Sequence, residues 1–223
     1  MQGFTKINVP RQRLADQVYE QILTALSDGV ISPAERIVQE SLAEVLQISR
    51  TPIREALLRL EREGVLETTA RGGWRLRMPP PNEVREIYQA REAIEGRCAR
   101  LLAAERNAAK FDAIERIIRR NEGSGFANVK SVYEANRQIH RSFVELSGNK
   151  YLLEMFDVMW NRSLSFIIFS SMEGESLDRS LSGHIELCHA LRIGDPDAAE
   201  RAMRAHIVDG LELQLSALQH SKV

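Results

Sequence analysis

Leu14, Val18, Ile22 and Leu26 recur four residues apart, so one apolar stripe runs along a first helix that ends near Asp28-Gly29. Pro33 follows in a loop. Glu40 to Leu46 reads as a short helix with Leu42, Val45 and Leu46 inward, and Gln47-Ile48 as a tight turn. The next helix opens at Ser49 or Thr51, either of which can cap it, with Pro52 in its first turn. Ile53, Ala56, Leu57 and Leu60 share its buried face, and Gly64 ends it. Two short β-like runs follow, at 65–69 and 74–77, joined by Ala70-Arg71-Gly72-Gly73. Helix, helix, tight turn, helix and hairpin, in that order, predict a winged helix-turn-helix.

Met78-Pro79-Pro80-Pro81-Asn82 interrupts the pattern, because three successive prolines favour an extended, stiff spacer. Beyond it nearly every segment has helical periodicity. Asn82 can cap a helix reaching Arg106, and others are expected at about 110–121, 129–146, 149–170, 176–193 and from Asp195-Pro196 towards Leu218. Loops are expected at 122–125 and 172–175. The fold class is therefore mainly α: a winged helix-turn-helix with a small β-hairpin wing over 1–78, a proline-rich linker over 79–82, and an all-helical bundle over 83–223.

Composition changes little. The chain is 43% hydrophobic and 27% charged, ordinary for a globular protein, and with only 6% aromatics its core must be mostly aliphatic. Cys98 and Cys188 make no disulfide framework, which points to a reducing, cytoplasmic setting. The first residues carry no signal-peptide pattern, and Asp157, Asn161 and Arg162 interrupt the run 155–169, so no membrane span is expected. Net charge is -1, yet Arg50 to Arg77 holds seven arginines against four glutamates, a local +3 that can meet phosphates.

A helix in the major groove reads bases with residues near its N-terminus, on the face turned from the core. Arg50, Thr51 and Arg54 hold that position here, opposite Ile53, Ala56 and Leu60. Arginine matches the paired acceptors of guanine. Ser49, Thr51 and the first-turn N–H groups can hold phosphates, and Arg71, Gly72 and Gly73 form a small cationic hairpin tip. An ordinary amphipathic helix with a solvated arginine face is the plainer alternative. The neighbouring helix, turn and hairpin argue against it.

Residues 14–76 resemble the N-terminal domain of GntR-type bacterial transcription regulators. The likeness lies in Glu40, Leu42 and Ala43, in the run from Ser49 to Leu57, in Leu60 and Gly64, and in Gly72-Gly73. It implies that Arg50 and Arg54 contact double-stranded operator DNA, that the wing enters the minor groove, and that the protein is a homodimer on a near-palindromic site. In the fatty-acid-responsive branch the position ten before the first helix arginine is often basic. It is Glu40 here, so that branch's operator details do not transfer.

In the second segment, Asn136 and His140 share one helix face, His184 lies near an apolar stripe, and His206 sits on the last helix. Histidines from several helices can converge on a divalent metal, although each can equally be a hydrogen-bonded core residue. Residues 84–215 are similar to the helical FCD domain found in the FadR-type subfamily, through Arg91, Ile94, Glu95, Asn136, His140, Gly148-Asn149, His184, Gly194-Asp195 and His206. That resemblance implies a metal centre of Asn136, His140, His184 and His206, holding zinc, or else nickel or manganese. Many members have Asp where this chain has Asn136, a weaker, neutral ligand. Three imidazoles and an amide leave the ion's charge uncompensated, so a small carboxylate effector is expected on it. Arg91 and Arg162 are candidates to hold a second anionic group, the alternative for Arg91 being an ion pair with Glu95. Cys188 reads as core packing, His189 and His220 as surface residues. The expected function is a ligand-responsive regulator, more often a repressor in this family. A metal-dependent hydrolase with a DNA-binding appendage and an effector-independent architectural DNA binder are the rivals.

Overall fold

The computed structural model of the chain describes residues 11–27, 30–31, 35–122, 126, 129–160, 169, 172 and 174–220. The expected helix end at Asp28-Gly29, Pro33, most of the loop at 122–125, and the continuation of one helix from 161 to 168 lie outside them. The chain divides into two compact units, Met1–Arg77 and Met78–Val223.

In the first unit, α1 (Arg11–Ser27) packs on α3 (Arg50–Arg62). Val18 and Ile22 are buried on one helix and Ile53, Ala56, Leu57 and Leu60 on the other, as the periodicity predicts; Leu14 and Leu26 are half-buried, and Tyr19, outside the predicted stripe, is buried too. Polar bonds fix the pair at its edge. The Tyr19 hydroxyl donates to Glu63 (2.6 Å), and the Arg59 guanidinium lies 3.9 Å over the Tyr19 ring.

Between them runs α2 (Gln39–Leu46), none of whose side chains is fully buried. Val45, expected inward, is 77% exposed. Leu42 and Leu46 define the inner line of this short helix, and Val45 lies roughly 80° round from it. The tight turn forms because Gln47 adopts the left-handed conformation (φ 52°). Ser49 occupies the capping position of α3, but its hydroxyl makes no capping hydrogen bond, and Thr51 is already inside the helix.

The wing is the antiparallel pair β1 (Leu66–Thr68) and β2 (Trp74–Leu76), in register Leu66↔Leu76, Glu67↔Arg75 and Thr68↔Trp74. Ile37 bridges to Trp74 from outside the hairpin. This close approach requires Gly73: at φ 81° its Cβ would lie 2.7 Å from the Ile37 carbonyl oxygen. The Trp74 indole N–H donates to Glu61 (3.2 Å) and ties the wing to α3.

The second unit is helical. Its described helices are α4 (Pro81–Glu105), α5 (Ala108–Glu122), α6 (Val129–Leu146), α7 (Lys150–Trp160), α8 (Gly174–Arg179), α9 (His184–Ile193) and α10 (Pro196–His220). α4 starts with Pro80 as its capping residue, ahead of the expected Asn82. Pro81 suits the first helical position because its missing N–H would have no partner there. Asn107, Asn149 and Asp195 cap α5, α7 and α10 through side-chain oxygens.

One helix expected at 176–193 is two. Ser180 and Ser182 hydroxyls donate to the carbonyls of Leu177 and Arg179, and Gly183 turns left-handed at φ 86° before α9 begins. The chain therefore breaks immediately before His184.

The core is aliphatic with a few aromatics. Leu102, Ile114, Ile118, Ile139, Phe143 and Phe156 are fully buried, and α4 packs most extensively on α10. Among the described residues no helix is long and apolar enough to cross a membrane.

Candidate functional site

The helical core contains buried polar side chains that its packing alone does not require: Arg91, Glu95, Asn136, His140, His184 and Gln214. Five of the six belong to one connected cluster. Arg91 and Glu95 lie one turn apart on α4, Asn136 and His140 one turn apart on α6, and His184 opens α9. His206, on α10, completes the group.

The ligating nitrogens of His140, His184 and His206 all lie within 4.8 Å of one another. Ring centroids are 5.1 Å apart for His140–His184, 5.3 Å for His140–His206 and 4.6 Å for His184–His206. Two rings are locked by their other nitrogen. His140 Nδ1 is 2.5 Å from Glu95, while His184 Nδ1 faces Glu122 (3.0 Å) and the Leu181 carbonyl (3.2 Å). A carboxylate or carbonyl can only accept, so both Nδ1 atoms carry the proton. Each ring then presents its Nε2 lone pair, and the two Nε2 atoms face each other at 3.3 Å. Two lone pairs at that distance repel unless a cation lies against both.

Electrostatics keep the His140 and His206 rings neutral. Burial lowers His140 to about 4, and burial with the neighbouring imidazoles lowers His206 to about 2. Burial alone would raise Glu95, but Arg91 and His140 outweigh it and hold the carboxyl at about 2. Three imidazoles, two of them braced by an outer carboxylate or carbonyl, are the donor set of a divalent metal centre. The residues fit such an ion.

Asn136 lies on the inner face of α6, one turn before His140, and donates its amide nitrogen to the Ser180 carbonyl. Its oxygen is the atom left for a ligand. Arg91 makes the ion pair with Glu95 (2.8 Å) and sits between the Tyr88 and Trp160 rings at 4.8 and 4.7 Å. It also lines a cavity of about 630 Å³ together with Asn136, His140, His206, Trp160 and Gln214. Arg162 lies outside the described residues. Cys188 is apart from the cluster, its buried thiol facing the Phe111 carbonyl at 3.5 Å. His189 is exposed, and the His220 side chain lies outside the described residues.

Ser49, Arg50, Thr51 and Arg54 are exposed at the start of α3, opposite its buried face. Arg50 pairs with Glu40 at 3.4 Å, an exposed contact, whereas Arg54 makes no ion pair among the described residues. Arg71 and Gly72 are exposed and Gly73 half-buried at the wing tip.

Glu122, Gly183, Ser180 and Trp160 escape the sequence reading. They approach the cluster from other elements, so no spacing marks them. The left-handed Gly183, whose Cβ would lie 3.4 Å from His206 Nδ1, had a signal only in being a glycine next to a histidine.

Residues 14–76 match the bacterial regulatory proteins of the gntR family, and residues 86–209 match the FCD domain. A probable D-xylose utilization operon transcriptional repressor of Paenarthrobacter nicotinovorans is 27% identical over 209 residues, covering 91% of this chain and 89% of that one. The Uxu operon transcriptional regulator of Escherichia coli K12 is 26% identical over 219 residues, covering 86% and 85%. The solved structure of E. coli McbR/YncC has the same fold, with a TM-score of 0.62 at 20% identity over 94% of this chain and 99% of that one. Families and named relatives are transcription regulators, which overturns the hydrolase alternative. The chain belongs to the gntR family of bacterial transcription regulators, in the group whose second domain is an FCD domain.

Proposed function

We propose that this regulator is a repressor whose helical unit senses a small organic acid through a bound divalent metal. The observation that carries the reading is the meeting of three histidines, two with their Nε2 atoms set by hydrogen bonds at Nδ1, beside a cavity that Arg91 also lines. His140, His184 and His206 would hold the ion, with the Asn136 oxygen as a weaker fourth ligand. Zinc suits the donor set best, and nickel or manganese are alternatives. Arg91 and Glu95 neutralise each other, so the ion's charge stays uncompensated and favours a carboxylate ligand. Arg91 would support the acid's far end through its remaining N–H groups, with Arg162 a further candidate.

The output lies in the winged helix. Arg50, Thr51 and Arg54 read base edges, Ser49 and the first-turn N–H groups hold phosphates, and Arg71, Gly72 and Gly73 follow the minor groove. The absence of a Ser49 capping bond favours this, because the hydroxyl is not spent on the helix. The helical unit would also join two chains, so that two heads meet the halves of a near-palindrome. Control requires that the acid bind the DNA-competent and DNA-free states unequally.

The test is operator binding by the zinc-loaded chain, using duplexes selected from a random pool and a panel of small carboxylates. At least one acid should weaken DNA binding by about fivefold or more, and a chelator should abolish that effect. DNA affinity unmoved by every acid, with zinc bound, would refute the sensor reading and favour the architectural one.

A further inference from the structure

Glu40 puts an acidic group where attraction to phosphates has no use for one. It is the second residue of α2, and its carboxylate lies 3.4 Å from the guanidinium of Arg50, the first residue of α3. The two side chains are 53% and 67% exposed, so both charged heads stand in solvent. Their closeness does not depend on the ion pair. Gln39, one residue earlier, donates its side-chain amide to the Arg50 carbonyl at 3.1 Å and fixes the start of α2 against the start of α3. An ion pair this exposed adds little to stability. Against a duplex, the carboxylate is repelled by phosphates and cancels part of the charge that Arg50 would bring to them. Neither the fold nor backbone attraction therefore accounts for it, whereas a base edge does. In the major groove a carboxylate accepts from the cytosine N4 amino group, while arginine donates to guanine O6 and N7.

We propose that Glu40 is a specificity-determining residue, accepting from the N4 amino group of a cytosine in the base pair adjoining the guanine that Arg50 reads. The inference rests on the reading of α3 as the major-groove helix and adds an acidic reader beside its arginine. Cytosine is the base whose major-groove edge offers a donor and no acceptor. Guanine would meet the carboxylate with two acceptors, adenine with an acceptor beside its donor, and thymine with an acceptor and a methyl group. Successive base pairs are spaced about 3.4 Å along the duplex, so two heads in contact fall on adjoining pairs.

The experiment is selection of duplexes from a random pool by the full-length wild type. The enriched site and its single-base variants are then competed for binding to the wild type, Arg50→Ala and Glu40→Gln. The pair whose preference Arg50→Ala loses should be G·C. An adjoining pair should carry cytosine, on either strand, favoured about fivefold or more over each other base. Glu40→Gln should lose that cytosine preference or turn it toward adenine, which glutamine matches, while the guanine preference stays. Glu40 is exposed and the Gln39 bond remains, so the variant tests reading rather than folding. A purely structural role for Glu40 would move overall affinity and leave every base preference in place. No cytosine beside that guanine, or a cytosine preference that survives Glu40→Gln, overturns the inference and leaves the arginine reading standing. If the wild type enriches no duplex, or Arg50→Ala changes no base preference, the arginine reading falls and this inference with it.

Discussion

Glu95 shows how much of the site depends on one residue outside the donor set. It is fully buried, pairs with Arg91, and orients His140 through Nδ1. Glu95→Gln should weaken zinc binding about 10- to 100-fold, as loss of an outer-shell partner does. Competition with a chromophoric chelator measures this, and unchanged affinity would show that His140 needs no such brace. Acidification of the metal-free protein is a second test. His140 titrates near 4 and His206 near 2 in the folded chain, against an ordinary 6.5. Between those values the unfolded chain takes up protons that the folded chain refuses, so stability held above pH 6.5 declines as pH falls toward 4. The urea midpoint should drop between about pH 7 and about pH 5; a level or rising midpoint would contradict buried neutral histidines. Asn136 and His140 announce themselves by their four-residue spacing. The Glu95–His140 bond joins residues 45 apart and leaves no local signature.

At the scale of elements, the winged helix follows from periodicity and turn residues almost entirely, because each helix shows its buried stripe and each turn its residue type within a short window. Val18, Ile22, Ile53, Leu57 and Leu60 are buried as their spacing predicts. Val45 departs from expectation because an eight-residue helix has too little length for hydrophobicity alone to mark its inner face. The break between α8 and α9 departs because its cause, two serine back-bonds and a left-handed glycine, competes with helix only once tertiary contacts favour it. The two wing glycines should differ when replaced. Gly72→Ala meets nothing within 4 Å and carries only the left-handed penalty, about 1–2 kcal/mol, whereas Gly73→Ala also collides with the Ile37 carbonyl. Urea unfolding followed by Trp74 fluorescence, in a Trp160→Phe background, should find Gly73→Ala the less stable of the two; the reverse order would refute the close approach. On α3, Arg50→Ala and Arg54→Ala should each cost about 1–3 kcal/mol at a specific operator. Full affinity in both variants would remove this helix from the groove.

For the whole molecule, the order of a winged-helix head and a helical FCD domain is visible in sequence through two separate resemblances, and the family matches at 14–76 and 86–209 agree with it. What spacing leaves open is convergence. Histidines at 140, 184 and 206 could each have been a solitary core residue, and only the packing of α6, α9 and α10 brings their nitrogens within 4.8 Å. The metal centre is thus the central claim, and metal content tests it most directly. After dialysis against zinc and removal of the excess, mass spectrometric analysis should find about one ion per chain, and little in His140→Ala or His184→Ala variants that remain folded. A zinc-free wild-type chain, or variants that retain the ion, would contradict it.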